Sequence, residues 1–142
     1  MQDQLNIQNS MQKQDDEFTE MLLSTRRRKK VMVIDDDLDH RLIVAEILVN
    51  AGYTVMTAKD GEVGLNTLIH NADKPDLIIL DLMMPEKDGL AFRKEQRTVD
   101  SIAHIPVVFL SGQGLVEGET CLMKPIDERV VLKTVEEVML GK

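Results

Sequence analysis

Four polar stretches stand out because each closes an apolar run. Residues 31–34 end in Asp35-Asp36-Asp37, and residues 77–80 end in Asp81. Residues 105–110 end in Ser111-Gly112, and residues 122–123 end in Lys124-Pro125. Carboxylates held close together repel one another unless a cation sits among them. Oxygen ligands alone suit a hard divalent ion, and Mg²⁺ binds through one or two carboxylates plus phosphate and water. Lys124 is a point charge suited to a phosphate oxygen. Ser111 can donate one hydrogen bond, and Gly112 leaves room beside it. A carboxylate can itself act as a nucleophile and carry an aspartyl phosphate. The chemistry these residue types would share is acidic, metal-assisted and directed at a phosphoryl group.

Such residues meet only if the runs before them are neighbouring strands. Helical stripes separate the runs: Leu42, Ile43, Ile47 and Ala51 in 38–51, Leu65, Leu68 and Ile69 in 60–71, and a weaker pattern in 89–99. Residues 53–58 are strand-like, with β-branched side chains. A last helix over 127–140 starts at Asp127 and carries Val131, Leu132, Val135, Val138 and Met139 on one face. Alternating strands and helices predict a parallel sheet covered on both faces. The runs at 31–34, 77–80 and 105–110 are apolar throughout, as strands buried on both sides should be. In such sheets sites form at the carboxyl ends of strands, where the four polar stretches lie.

The 142-residue chain has a one-domain length. Its net charge of -8 argues against non-specific nucleic-acid binding by the body of the domain. Aromatic residues at 3%, with no Trp, argue against a base-stacking platform. A lone Cys121 allows no internal disulfide and suits a reducing compartment, so the expected location is the cytoplasm. No apolar stretch is long enough to span a bilayer. Charge and composition change near residue 30. Residues 1–14 are rich in Gln and Asn and read as a flexible tail. Phe18, Met21 and Leu22 fall at helical spacing, and Arg26-Arg27-Arg28-Lys29-Lys30 reads as a solvated linker or a docking patch for an acidic or phosphorylated partner. The expected division is an N-terminal extension over 1–30 and a domain over 31–142.

VMVIDDD, DLIILDLMMPEKDG, IPVVFLSG and CLMKPI, in that order, resemble the receiver domain of two-component response regulators. The resemblance covers about 31–140. It implies a flavodoxin-like, doubly wound α/β fold with five parallel strands in the order 2-1-3-4-5. It implies that Asp81 accepts the phosphoryl group and that Asp35, Asp36, Asp81 and the backbone carbonyl of Met83 hold Mg²⁺. Ser111 and Lys124 would contact the phosphoryl oxygens, and Met83 and Gln113 stand where receivers vary the lifetime of that group. Asp37 reads instead as the cap of the first helix of the domain, and His40, His70 and His104 as surface or partly packed residues.

Two features depart from the family pattern. Receivers usually carry an aromatic ring three residues before the lysine, and here that residue is Cys121. Between Ser111 and the last strand only about eight residues remain, GQGLVEGE. Eight helical residues advance only about 12 Å, short of the roughly 17–20 Å of a typical strand; extended, they reach about 26–29 Å. The fourth helix of the usual fold is therefore expected to be missing or cut to a turn. Its apolar floor would then be covered by the Phe18/Met21/Leu22 segment, by a second copy in a homodimer, or by a partner.

The resulting expectation is a stand-alone receiver, a phosphoacceptor rather than an enzyme. It would take its phosphoryl group from a histidine kinase or histidine phosphotransfer protein and signal to an effector protein. The alternative is a receiver-fold scaffold that is never phosphorylated. A related phosphatase would carry a second Asp two residues after the nucleophile, where this chain has Met83.

Overall fold

Apolar runs form the strands, and an aspartate opens each helix that follows a strand. A computed structural model describes residues 2–27 and 29–140, with side chains described for 6–21 and 29–140. In chain order the elements are α1 (Gln2–Arg27), β1 (Lys30–Ile34), α2 (Leu38–Asn50), β2 (Thr54–Ala58) and α3 (Gly61–His70). They continue with β3 (Leu77–Asp81), α4 (Gly89–Arg97), β4 (Val107–Ser111), β5 (Thr120–Met123) and α5 (Glu128–Met139). Asp37, Asp60, Asp88 and Asp127 accept backbone N–H bonds at the starts of α2, α3, α4 and α5. Each satisfies donors that the first turn leaves without an intrahelical partner.

All strand pairs are parallel, in the order β2-β1-β3-β4-β5. This is the sheet that the alternation predicted. Its two faces are covered separately. Val31, Val33, Leu77, Ile79, Val108 and Leu110 pack with Val44 and Leu48 of α2 and Val131 and Val135 of α5. Met32, Ile34, Ile78, Leu80 and Phe109 pack with Leu65 and Leu68 of α3 and Phe92 of α4. Every residue of β3 and β4 is buried, which is why those runs show no alternation.

No helix joins β4 to β5: residues 112–119 form bends and a turn. The short connection thus agrees with the residue arithmetic. The first of its three expected covers is not found. Phe18 and Met21 on α1 are 61% and 60% exposed, so they do not roof this region; Leu22 lies outside the described side chains. Instead the end of the connection is held by α4, where Glu119 pairs with Arg93 and Arg97. These contacts give no support to a homodimer at this place. A second correction concerns residues 1–14. Gln2–Arg27 is one helix, not a tail followed by a short helical segment. The side chains of Arg26–Arg28 lie outside the described residues. Lys30, the last of the basic run, belongs to β1 and pairs with Asp73.

One buried polar residue ties α4 to the sheet. Gln96 is fully buried, and its Nε2 donates to the carbonyls of Ile102 (2.9 Å) and Ile105 (2.8 Å). Its Oε1 accepts from Arg93 Nη1 at 2.9 Å. Gln96→Leu leaves these partners unpaired in the interior, so it should destabilise the fold by about 2–4 kcal/mol. Urea unfolding measures this as a lower midpoint at unchanged slope; a loss below ~0.5 kcal/mol would contradict the assigned role.

Candidate functional site

Strand register brings the acids together. Ile34 of β1 lies opposite Leu80 of β3, so the next residues, Asp35 and Asp81, emerge side by side at the carboxyl edge. Ser111 of β4 lies opposite Met123 of β5, and the next residue of β5 is Lys124. Lys124 N donates to the Ser111 carbonyl at 2.9 Å, which fixes the lysine beside β4. Its Nζ reaches Asp81 Oδ1 at 3.3 Å. Four strand ends thus deliver three carboxylates, a hydroxyl and an ammonium to one edge.

Asp35 and Ser111 are fully buried, Asp81 is nearly so, and Asp36 is exposed at the mouth. Among the described residues, Asp35, Asp36 and Asp81 each place a carboxylate oxygen within 4.8 Å of the others. Asp35 Oδ1 accepts the Asp37 amide at 2.9 Å, but the buried Asp35 Oδ2 has no hydrogen-bond partner. An orphaned buried carboxylate oxygen facing two more carboxylates fits a hard divalent cation such as Mg²⁺. The Met83 amide donates to Asp81 Oδ1 at 3.4 Å, so the Met83 backbone lies beside the same carboxylate. The Met83 side chain points out and is exposed.

The electrostatics carry the same signature. Burial, then the charge of Asp35, pushes the Asp81 carboxyl above its ordinary range, and Lys124 pulls it partly back. Partial burial, then Asp81, pushes Asp36 up as well. Asp37 behaves differently: the His40 amide that it caps lowers it. Asp37 is a helix cap, as its sequence position suggested. His40, His70 and His104 lie on α2, at the end of α3 and in the turn before β4, and none joins the cluster of Asp35, Asp36 and Asp81.

Supporting residues complete the site, of which only Gly89, in the motif DLIILDLMMPEKDG, carried a local sequence signal. Gly89, the first residue of α4, donates its amide to Leu82 O at 2.9 Å. A Cβ there would meet Asp81 O at 2.8 Å and Leu82 Cα at 2.9 Å, both backbone atoms, so only glycine lets α4 start this close. Lys87 Nζ joins Glu95 of α4 (2.6 Å) and Glu62 of α3 (3.5 Å), pinning the loop that follows β3. Arg41 Nη1 caps the Asp35 carbonyl at 2.7 Å. Ser111 Oγ is turned onto the connection that follows β4. It donates to the carbonyl of Gly114 at 2.7 Å and accepts from the Gln113 amide at 3.2 Å.

Comparison with known proteins agrees with this architecture. The response regulator receiver domain family matches residues 31–138. Transcriptional regulatory protein RprY of Bacteroides fragilis is 36% identical over 83 residues, 58% of this chain and 34% of that protein. Transcriptional regulatory protein CpxR of Klebsiella pneumoniae is 30% identical over 115 residues, 75% of this chain and 47% of that protein. The chain therefore spans less than half the length of these curated relatives. Among solved structures, chemotaxis protein CheY4 of Vibrio cholerae superposes with a TM-score of 0.71 at 32% identity, covering 78% of this chain and 98% of that one. The receiver domain of the hybrid histidine kinase CckA gives 0.69 at 34% identity, with the same coverage. Among the described residues, no helix is long and apolar enough to cross a membrane.

The raised carboxyls set a pH dependence. A carboxyl that is raised in the folded state loses stability as pH climbs from the unfolded value through the folded one. Asp81→Asn removes that penalty. It should be more stable than the parent at pH 7, by on the order of 1 kcal/mol or ~4 °C, with the margin shrinking toward pH 4. Millimolar Mg²⁺ should raise the melting temperature of the parent and narrow the gap. Differential scanning calorimetry across pH checks both; a parent more stable than the variant at pH 7 without metal would contradict the account.

Proposed function

The chain belongs to the response regulator receiver family, and on that premise we propose that Asp81 accepts a phosphoryl group from a phosphohistidine donor in a Mg²⁺-dependent reaction. The observation that carries this reading is the convergence of Asp35, Asp36 and Asp81 within 4.8 Å, with Lys124 3.3 Å from Asp81.

An oxygen of Asp81 attacks phosphorus in line with the leaving group. The new Asp81 O–P bond forms as the donor P–N bond breaks. The electron pair of the P–N bond stays on the imidazole nitrogen, which takes up a proton and leaves as neutral histidine. Lys124 supplies positive charge at the phosphoryl oxygens, and Ser111 donates a hydrogen bond once it turns toward them. Asp35, Asp36, Asp81 and the Met83 carbonyl would hold Mg²⁺, which when bound offsets negative charge on the carboxylates and the phosphoryl oxygens. Gly89 and Lys87 keep the loop after β3 in place around the acceptor.

The domain takes part in its own phosphorylation and dephosphorylation and is otherwise no enzyme. Its partners are a histidine kinase or phosphotransfer protein upstream and an effector protein downstream. Output of this domain through protein contact is supported by charge: residues 31–142 carry eleven Lys and Arg against twenty Asp and Glu, which disfavours direct contact with nucleic acid. A cytoplasmic location belongs to the same proposal and accords with the free thiol of Cys121.

Incubation with Mg²⁺ and acetyl phosphate tests the reading. Intact-mass spectrometry should show one added phosphoryl group on the parent and none on Asp81→Asn. A parent left unlabelled by acetyl phosphate and by histidine kinases would favour the unphosphorylated scaffold.

A further inference from the structure

The 112–119 connection is fastened at both ends, and its first fastening uses a group that the proposed chemistry needs. At the start, the Ser111 hydroxyl donates to Gly114 O at 2.7 Å. In the middle, the Val116 amide donates to Cys121 Sγ at 3.3 Å, and the Glu119 amide donates to Val116 O at 3.1 Å. At the end, the Glu119 carboxylate takes Arg97 Nη2 at 2.7 Å and Arg93 Nε at 3.5 Å. That carboxylate is only 12% exposed, so its ion pairs are less screened than surface pairs. Both arginines come from α4, whose first residue packs on the backbone of Asp81. One short helix therefore touches the acceptor strand at one end and holds the connection at the other.

A serine hydroxyl has one proton to donate. While Ser111 donates to Gly114 O, it cannot donate to a phosphoryl oxygen on Asp81. Releasing it requires the connection to move. Gly114 and Gly118, at φ +128° and +77°, adopt backbone conformations that glycine reaches without strain, and a Cβ at either would meet open space. Packing therefore leaves room for a backbone change at both glycines, and the Glu119 ion pairs are the fastening that ties the connection to α4. We propose that Glu119, through Arg93 and Arg97, is a positioning residue that keeps the connection seated with the Ser111 hydroxyl on Gly114, and that phosphorylation of Asp81 must work against this fastening. The inference rests on Asp81 being the phosphoacceptor. By linkage, weakening the fastening favours the form in which Ser111 is free for the phosphoryl group.

The test is the labelling rate with acetyl phosphate and Mg²⁺, read beside hydrogen exchange of the Gln113 and Val116 amides in protein without donor. Glu119→Gln should label roughly three- to tenfold faster than the parent and exchange faster at those amides. Glu117→Gln, an exposed acid on the same connection, should match the parent. Arg97→Met should give part of the gain, and its combination with Glu119→Gln should add nothing further. In a Ser111→Ala background the gain from Glu119→Gln should vanish, which a merely structural role would not produce. Should Glu119→Gln fail to fold, Arg97→Met carries the test, because that side chain is largely exposed. A labelled parent with an indifferent Glu119→Gln, or a gain that survives Ser111→Ala, overturns this inference alone. An unlabelled parent overturns the phosphoacceptor reading and this inference with it.

Discussion

Asp35 and Asp81 are buried next to each other at the carboxyl edge of a parallel sheet, with Asp36 at the mouth. Two anions in a low-dielectric interior repel strongly, and each also resists losing its water. The surrounding structure is arranged to hold them there. The β1–β3 register makes them neighbours, and β5 returns beside β4 so that Lys124 can face Asp81. The Asp37 amide satisfies one Asp35 oxygen, and the other oxygen is left for a cation. The raised carboxyls of Asp81 and Asp36 are the residual cost of the arrangement. A site built this way favours the binding of positive charge among its carboxylates.

The same constraint explains why the loops around the site are pinned. Lys87 bridges α3 and α4 across the loop after β3, and Gly89 lets α4 begin against the Asp81 carbonyl. Eight residues replace what the usual fold fills with a helix between β4 and β5. They stay ordered through Ser111, Cys121 and Glu119 instead of through helical packing. Shortening the connection therefore transfers its support to α4, an element already packed on the end of β3.

Much of this was legible in the sequence, for identifiable reasons. β1, β3 and β4 are buried on both faces, so they read as unbroken apolar runs, and the residues that end them read as the site. Asp37 and Asp127 announced helices because capping is a local rule. The loss of the helix between β4 and β5 followed from chain length alone. Other features depend on contacts distant in sequence. Arg97 and Glu119 are 22 positions apart, and Gln96 reads as a surface residue until α4 turns it onto the carbonyls of Ile102 and Ile105. Of the N-terminal helix only the part with Phe18, Met21 and Leu22 was legible, because its first half lacks the apolar stripe from which helices are read, although Gln is a tolerable helix former. The methionines divide by the same criterion. Met32 and Met84 fill the core, whereas Met83 and Met123 are exposed at the ends of β3 and β5, a difference that composition does not carry.

The central claim is that the buried Asp81 carboxylate, and no other acid in the cluster, forms the covalent bond to phosphorus. The most direct measurement is to phosphorylate the parent protein, reduce the acyl phosphate with borohydride and map the product by peptide mass spectrometry. The account predicts homoserine at position 81 alone. Reduction at Asp35 or Asp36, or a reducible group that persists in Asp81→Asn, would contradict it.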